Sequence, residues 1–278
     1  MQCSLAISPC PNDTFSFYGV LHGKTSFPGE LHCSYMDIEA LNLSCVQNKF
    51  DFCKVSFNAF LKLTHNFVML DSGAALGFGC GPLVVSKKRR SPEELKKMTI
   101  AIPGRNTTAF LLLTLHSGVE LNVIEMPFDH ILNAVVNEEV DAGLIIHESR
   151  FTYKGLGLNK CIDLGAWWEQ KTGAAIPLGG IVAKRSLPKE LILEFQDSLA
   201  QSIDYAWANQ NEVLPFMEMH AQEIETEVMF KHVDLYVNKF TRSLGDAGED
   251  SIQVLRDEVR KAGLIEHSPV EPLFARSL

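Results

Sequence analysis

The sequence predicts an α/β protein of two lobes, and three observations lead there. Short apolar runs suited to buried strands alternate with helical patterns, the signature of βαβ units and a mostly parallel sheet. After Lys184 the texture changes to helices alone. With 278 residues, 46% of them hydrophobic, the chain is long enough for one large core or two modest ones.

Taken in order, strands are expected near Ser4–Ile7, Leu31–Tyr35, Asp51–Val55, Leu83–Ser86, Thr99–Ile102, Val123–Met126, Asp141–Ile146 and Gly180–Ala183. Asp13 is placed to cap a helix that ends at Gly23. Ser91-Pro92-Glu93-Glu94 reads as a capping box with proline at the first helical position. Asp129 is expected to cap a helix running to Asn137. The C-terminal third divides into helices from Pro188 to about Ala208, around Val213–His220, over Thr226–Asn238 and over Asp250–Ala262, the last stopped by Gly263. The acidic patch Gly245–Ser251 reads as an exposed loop and helix start. These elements suggest a larger, discontinuous lobe of residues 1–90 and 178–278 and a smaller inserted lobe of 91–177, with a ligand cleft between them.

The charge balance narrows the ligand class. There are 25 basic against 34 acidic side chains, a formal net charge of -9, so a general attraction to nucleic acid or anionic lipid is not expected, and an anionic ligand needs a local site. The seven cysteines are odd in number, scattered, and form no C-x-x-C, which predicts reduced thiols in a cytoplasmic protein. The N-terminus reads Met1-Gln2-Cys3-Ser4-Leu5-Ala6-Ile7 and then turns at prolines, unlike an export signal. No apolar run approaches the roughly 20 residues of a membrane span.

Ligands of open α/β sheets bind beyond the carboxyl ends of the strands, so the residues following each expected strand are the informative ones. Ser8-Pro9-Cys10-Pro11-Asn12-Asp13-Thr14 is either a rigid turn or a polar loop offering Ser8 and Asn12 to a ligand. Lys54-Val55-Ser56 ends the third strand, where an ammonium and a hydroxyl suit a carboxylate, although a solvated lysine and a capping serine fit equally. Pro103-Gly104-Arg105-Asn106-Thr107-Thr108-Ala109 opens a helix whose free N–H groups favour an anion; alternatively Thr107 only caps and Arg105 pairs with a surface acid. His147-Glu148-Ser149-Arg150 follows the apolar run Ala142–Ile146, and a histidine there can act as a base near neutral pH or simply be a satisfied polar group. Asn42 is a further candidate contact. Trp167-Trp168 suits packing better than stacking on a substrate.

Other motifs fail. His147-Glu148-Ser149-Arg150-Phe151 begins like a zincin, but Phe151 cannot ligate metal. Gly77-Phe78-Gly79-Cys80-Gly81-Pro82 breaks the dinucleotide fingerprint at its last glycine, and no nucleophile elbow or Walker loop occurs.

Ser8-Pro9-Cys10-Pro11-Asn12-Asp13-Thr14-Phe15, Gly143 through Tyr153, and Asp163-Leu164-Gly165-Ala166-Trp167-Trp168 resemble the 1,4-dihydroxy-6-naphthoate synthase family of the futalosine route to menaquinone. Gly81-Pro82-Leu83-Val84-Val85, Pro103-Gly104-Arg105 and Pro177-Leu178-Gly179 extend the likeness, in order, from Ser8 to about Tyr236. The resemblance implies the two-lobed fold of type II periplasmic binding proteins. It also implies conversion of cyclic dehypoxanthine futalosine to 1,4-dihydroxy-6-naphthoate with no metal or organic cofactor. Carried over by position, Lys54, Val55, Ser56, Thr108 and Ala109 would contact the small anionic organic substrate, and His147 would accept a proton. Ser8, Asn12, Asn42, Arg105, Glu148 and Arg150 are secondary candidates. Two other readings stand beside this one: the related chorismate dehydratase, and a non-catalytic solute-binding protein on the same fold.

Overall fold

The computed structural model describes residues 2–221, 225–265 and 270–278. In chain order the strands are β1 (Gln2–Ile7), β2 (Glu30–Tyr35), β3 (Phe52–Ser56), β4 (Phe67–Met69), β5 (Ala75–Gly77), β6 (Leu83–Ser86), β7 (Thr99–Ile102), β8 (Asn122–Glu125), β9 (Ala142–Ile145), β10 (Asn159–Asp163) and β11 (Ile176–Lys184). The helices are α1 (Pro11–Leu21), α2 (Ile38–Val46), α3 (Phe57–Leu63), α4 (Thr108–Ser117), α5 (Phe128–Val136), α6 (Ser149–Thr152), α7 (Leu164–Thr172), α8 (Lys189–Ala208), α9 (Gln210–His220), α10 (Thr226–Tyr236), α11 (Lys239–Arg242) and α12 (Gly245–Lys261).

The chain divides into two compact units, Met1–Gly77 with Pro177–Leu278, and Phe78–Ile176. Residues 78–90 therefore go with the inserted unit. The reason is pairing: β6 lies between β9 and β10 in the second sheet, so the chain leaves the first unit before that strand and not after it.

The first unit holds a sheet of order β2-β1-β3-β11-β4, with β5 pairing β11. Strands β2 and β3 run parallel to β1, whereas β11 is antiparallel to both β3 and β4. Its core is aromatic, with Phe15, Phe17, Phe52 and Phe195 all fully buried. Helix α8 faces this core through Leu191, Ile192, Phe195, Leu199, Ile203 and Ala206, the three-and-four spacing of a single helical face. Its Ser202 closes on α1: Oγ donates to Ser16 O at 2.6 Å and accepts from Val20 N at 3.1 Å. Gly19 permits that approach, since a Cβ there would lie 2.9 Å from Ser202 Cα.

The second unit holds a sheet of order β10-β6-β9-β7-β8. Here β7 is parallel to β8 and β9, and β6 is antiparallel to β9 and β10. Both sheets are thus mixed rather than mostly parallel. Alternating apolar runs announce strands without fixing their direction: β11, returning from the inserted unit, is the antiparallel strand of the first sheet, and β6, the first strand of that unit, is the antiparallel strand of the second.

Two caps and one helix start differ from expectation. Helix α1 begins at Pro11 behind Cys10, so Asp13 lies in its first turn and its carboxylate is used elsewhere. Helix α5 begins at Phe128 behind Pro127, which likewise leaves Asp129 inside. The patch Gly245–Ser251 is the first part of α12, its acids offsetting the helix N-terminal dipole. Ser91 does form its box, Ser91 N donating to Glu94 Oε2 at 2.7 Å, but the turn it starts is 3₁₀. Helix α1 stops as Gly23 requires, in left-handed backbone with Lys24 N bonded back to Gly19 O.

Candidate active site

In the first unit, the ends of β1 and β3 and the start of α1 are tied by a buried ion pair. Lys54 Nζ lies 2.7 Å from Asp13 Oδ1, with side chains 7% and 3% exposed. At that burial neither charge is carried by water, so each exists only because the other does. Asp13 spends its other oxygen on Ser8, accepting from Ser8 Oγ at 2.7 Å and Ser8 N at 3.2 Å. Asn12 Nδ2 donates to Asp13 Oδ1 at 2.9 Å, and Asn12 Oδ1 faces His232 Nε2 of α10, also at 2.9 Å. Lys54, Ser8 and Asn12 therefore form the frame of the loop, and the ammonium of Lys54 faces Asp13.

Strand alternation places Lys54 and Ser56 on one face of β3 and Val55 on the other. Ser56 sits at the N-cap of α3, yet its side chain makes no capping bond; it is engaged with Asn42 of α2 instead. Opposite Ser56 in register is Gly179 of β11, where a Cβ would come within 2.8 Å of Val55 O. The glycine of the Pro177-Leu178-Gly179 motif is what lets β11 lie against this end of β3.

In the second unit, β7 runs through Pro103 to the start of α4. Thr107 is the cap: its Oγ1 accepts from Phe110 N at 3.2 Å and donates to Gly104 O at 2.7 Å. Arg105 points outward, pairing with Glu125 at 2.9 Å with both side chains about half exposed. Thr107, Thr108 and Ala109 are all buried, and the last two, at 2% and 5% exposure, occupy the first helical positions.

Beyond β9 the chain makes a sharp turn. His147 has φ 54°, the left-handed region that costs a residue with a Cβ on the order of 1 kcal/mol. Its ring meets Phe128 of α5 edge to face at 4.9 Å. Glu148 is buried, and ligating atoms of the two side chains lie within 4.8 Å of each other. Arg150 is a clamp: its guanidinium donates to Gly81 O at 2.7 Å, Gly79 O at 3.3 Å and Asp163 Oδ2 at 2.8 Å. Asp163 in turn caps α7 by accepting from Gly165 N and Ala166 N, both at 3.1 Å. Gly165 is as tightly set, since a Cβ there would fall 1.8 Å from Cys80 O. Trp168 is fully buried with Nε1 on Ala175 O, whereas Trp167 packs on His116. Arg150, held by Gly79, Gly81 and Asp163, thus braces the turn that carries His147.

This arrangement has known relatives. Residues 3–261 match the family model described as menaquinone biosynthesis. A curated 1,4-dihydroxy-6-naphthoate synthase of Thermus thermophilus is 44% identical over 271 residues, 97% of this chain and 98% of its own. The chain belongs to the 1,4-dihydroxy-6-naphthoate synthase family. Another curated synthase of this name, from Streptomyces coelicolor, is 39% identical over 94% of both chains. Among solved structures, an Archaeoglobus fulgidus protein superposes with a TM-score of 0.90 at 34% identity, covering 95% of this chain and 98% of that one. The alkanesulfonate-binding protein of Xanthomonas axonopodis gives 0.73 at 12% identity, covering 98% of this chain and 97% of its own. A Candida albicans protein described as having the generic periplasmic-binding-protein fold gives 0.70 at 14%, covering 96% and 92%. The naphthoate synthase family therefore carries its motifs on the periplasmic-binding-protein fold, as the sequence motifs imply.

Proposed function

We infer that the protein is a carbon–carbon lyase that converts cyclic dehypoxanthine futalosine to 1,4-dihydroxy-6-naphthoate, releasing the sugar-derived fragment, with His147 as the proton acceptor. The supporting observation is membership of the naphthoate synthase family over nearly the whole chain, with the motif around His147 in place. Breaking the sugar-derived ring and aromatising the other requires removal of a carbon-bound proton near neutral pH, a role matched to imidazole. The left-handed backbone at His147 also fits, because strain of this kind is retained where a side chain must be aimed. Lys54, Val55, Ser56, Thr108 and Ala109 are proposed to contact the substrate, Lys54 while paired with Asp13. Arg105 and Arg150 pair with Glu125 and Asp163, and the hydroxyls of Ser56 and Thr108 add hydrogen-bond donors at the strand end and the helix start.

A cytoplasmic location is part of this reading. All seven cysteines are thiols, five of them buried, which suits a reducing compartment, and no helix among the described residues is long and apolar enough to cross a membrane. The purified protein incubated with cyclic dehypoxanthine futalosine is expected to yield 1,4-dihydroxy-6-naphthoate, identified by mass. Dehydration of chorismate instead, or binding of either compound without turnover, would reject the assignment.

Thr108 provides a test of the anion-binding helix start. Replacing Thr108 by valine keeps the shape and removes a hydroxyl, so binding of the product is expected to weaken by about 1–3 kcal/mol. A dissociation constant within about twofold of the parent, where each kcal/mol is roughly fivefold, would take Thr108 out of the site.

A further inference from the structure

We propose that Asn42 is a positioning residue that fixes the Ser56 hydroxyl as a hydrogen-bond donor, so that this point of the site reads an acceptor oxygen, the substrate carboxylate. The inference rests on the reading of Ser56 as a substrate contact. It follows from which atoms can donate. Ser56 N–H can only donate, and it meets Asn42 Oδ1 at 2.9 Å, which settles the orientation of the carboxamide. The other end of Asn42 is therefore the amide nitrogen, which can only donate. That nitrogen lies 3.2 Å from Ser56 Oγ and 3.2 Å from Glu39 Oε2, whose carboxylate accepts from the same group.

Ser56 Oγ must accordingly accept, and its own hydrogen is turned away from Asn42. A serine hydroxyl is ordinarily ambidextrous, donating to one ligand and accepting from another. Asn42 is fully buried and Ser56 is 2% exposed, so water does not readily scramble this polarity. No helix-capping bond draws on the hydroxyl oxygen either, so among the described residues Asn42 alone sets its polarity. Three neighbouring elements build the arrangement, with Asn42 and Glu39 coming from α2, Ser56 from β3 and Gly179 from β11.

The test uses calorimetric dissociation constants for 1,4-dihydroxy-6-naphthoate and for its neutral 6-hydroxymethyl counterpart. Ser56→Ala is expected to weaken the carboxylate about tenfold, the loss of one charge-assisted bond. Asn42→Leu, which is similar in size and adds no charge, is expected to weaken it about fivefold and to narrow the preference over the hydroxymethyl compound. In the Ser56→Ala background the same Asn42 change should have no further effect on either ligand. Equal weakening in both backgrounds would reduce Asn42 to a structural residue. An unchanged affinity in Asn42→Leu with a weakened Ser56→Ala would overturn the polarity argument. An unchanged Ser56→Ala would overturn the underlying placement of Ser56. Should Asn42→Leu fail to fold, Asn42→Ala makes the same comparison.

Discussion

Replacing His147 by asparagine is expected to lower turnover by about 10²–10⁴-fold while the affinity for substrate stays within a few-fold. The choice of asparagine follows from the backbone. At φ 54° most side chains strain the chain, but asparagine is among the residues that enter the left-handed region most readily, so the turn after β9 should survive. Asparagine also keeps a polar group of similar reach, but it cannot take up a proton near neutral pH. Single-turnover rates with bound substrate separate the chemical step from binding and product release. A folded variant with near-normal turnover would remove His147 from the role, and Glu148, buried beside it, would be the next base to test.

Asp13→Ala is expected to destabilise the protein by about 3–5 kcal/mol, because it strands the Lys54 ammonium at a position too buried for bulk solvent to replace the carboxylate. For a chain of this size that corresponds to a fall in Tm on the order of 10 °C. Lys54→Met alone should cost a similar amount by stranding Asp13. The double variant should be markedly less destabilised than the sum of the two, since removing both charges also removes the desolvation penalty. Full additivity, or a loss below about 1 kcal/mol in Asp13→Ala, would mean that the pair is solvated, as surface pairs are.

The sequence carried most of the framework and much less of the wiring. Strands β1, β6 and β7 were legible because each is a compact apolar run next to a turn. The strands β4 and β5 were not, being three residues each inside continuously buried stretches, too short to show a period. Nor was β10, Asn159–Asp163, whose cysteine and charged residues do not look like a strand. Candidate site residues could be found because motifs and strand ends are local. Their partners could not: His232 reaches Asn12 across 220 positions, and a lone histidine on an amphipathic helix gives no sign of it. Asp13 looked like a cap because a helix start followed it, and the competing claim of Lys54 is visible only once β3 lies beside β1. The Asp163 partner of Arg150 was out of reach for the same reason, being fixed by the fold rather than by spacing.

The place of β11 between β3 and β4 governs how the chain can be made. Ribosomal synthesis at roughly 10 residues per second delivers Gly77 some ten seconds before Lys184. Until then the nascent first sheet lacks the strand between β3 and β4, and the facing edges of these two strands leave amides and carbonyls open to any other chain. The inserted unit, complete at Ile176, closes its own sheet first and contributes nothing to filling that gap. Newly made protein is therefore most exposed to aggregation in that interval, when a chaperone that shields strand edges would be most useful, and slowed elongation through residues 78–176 would lengthen the risk.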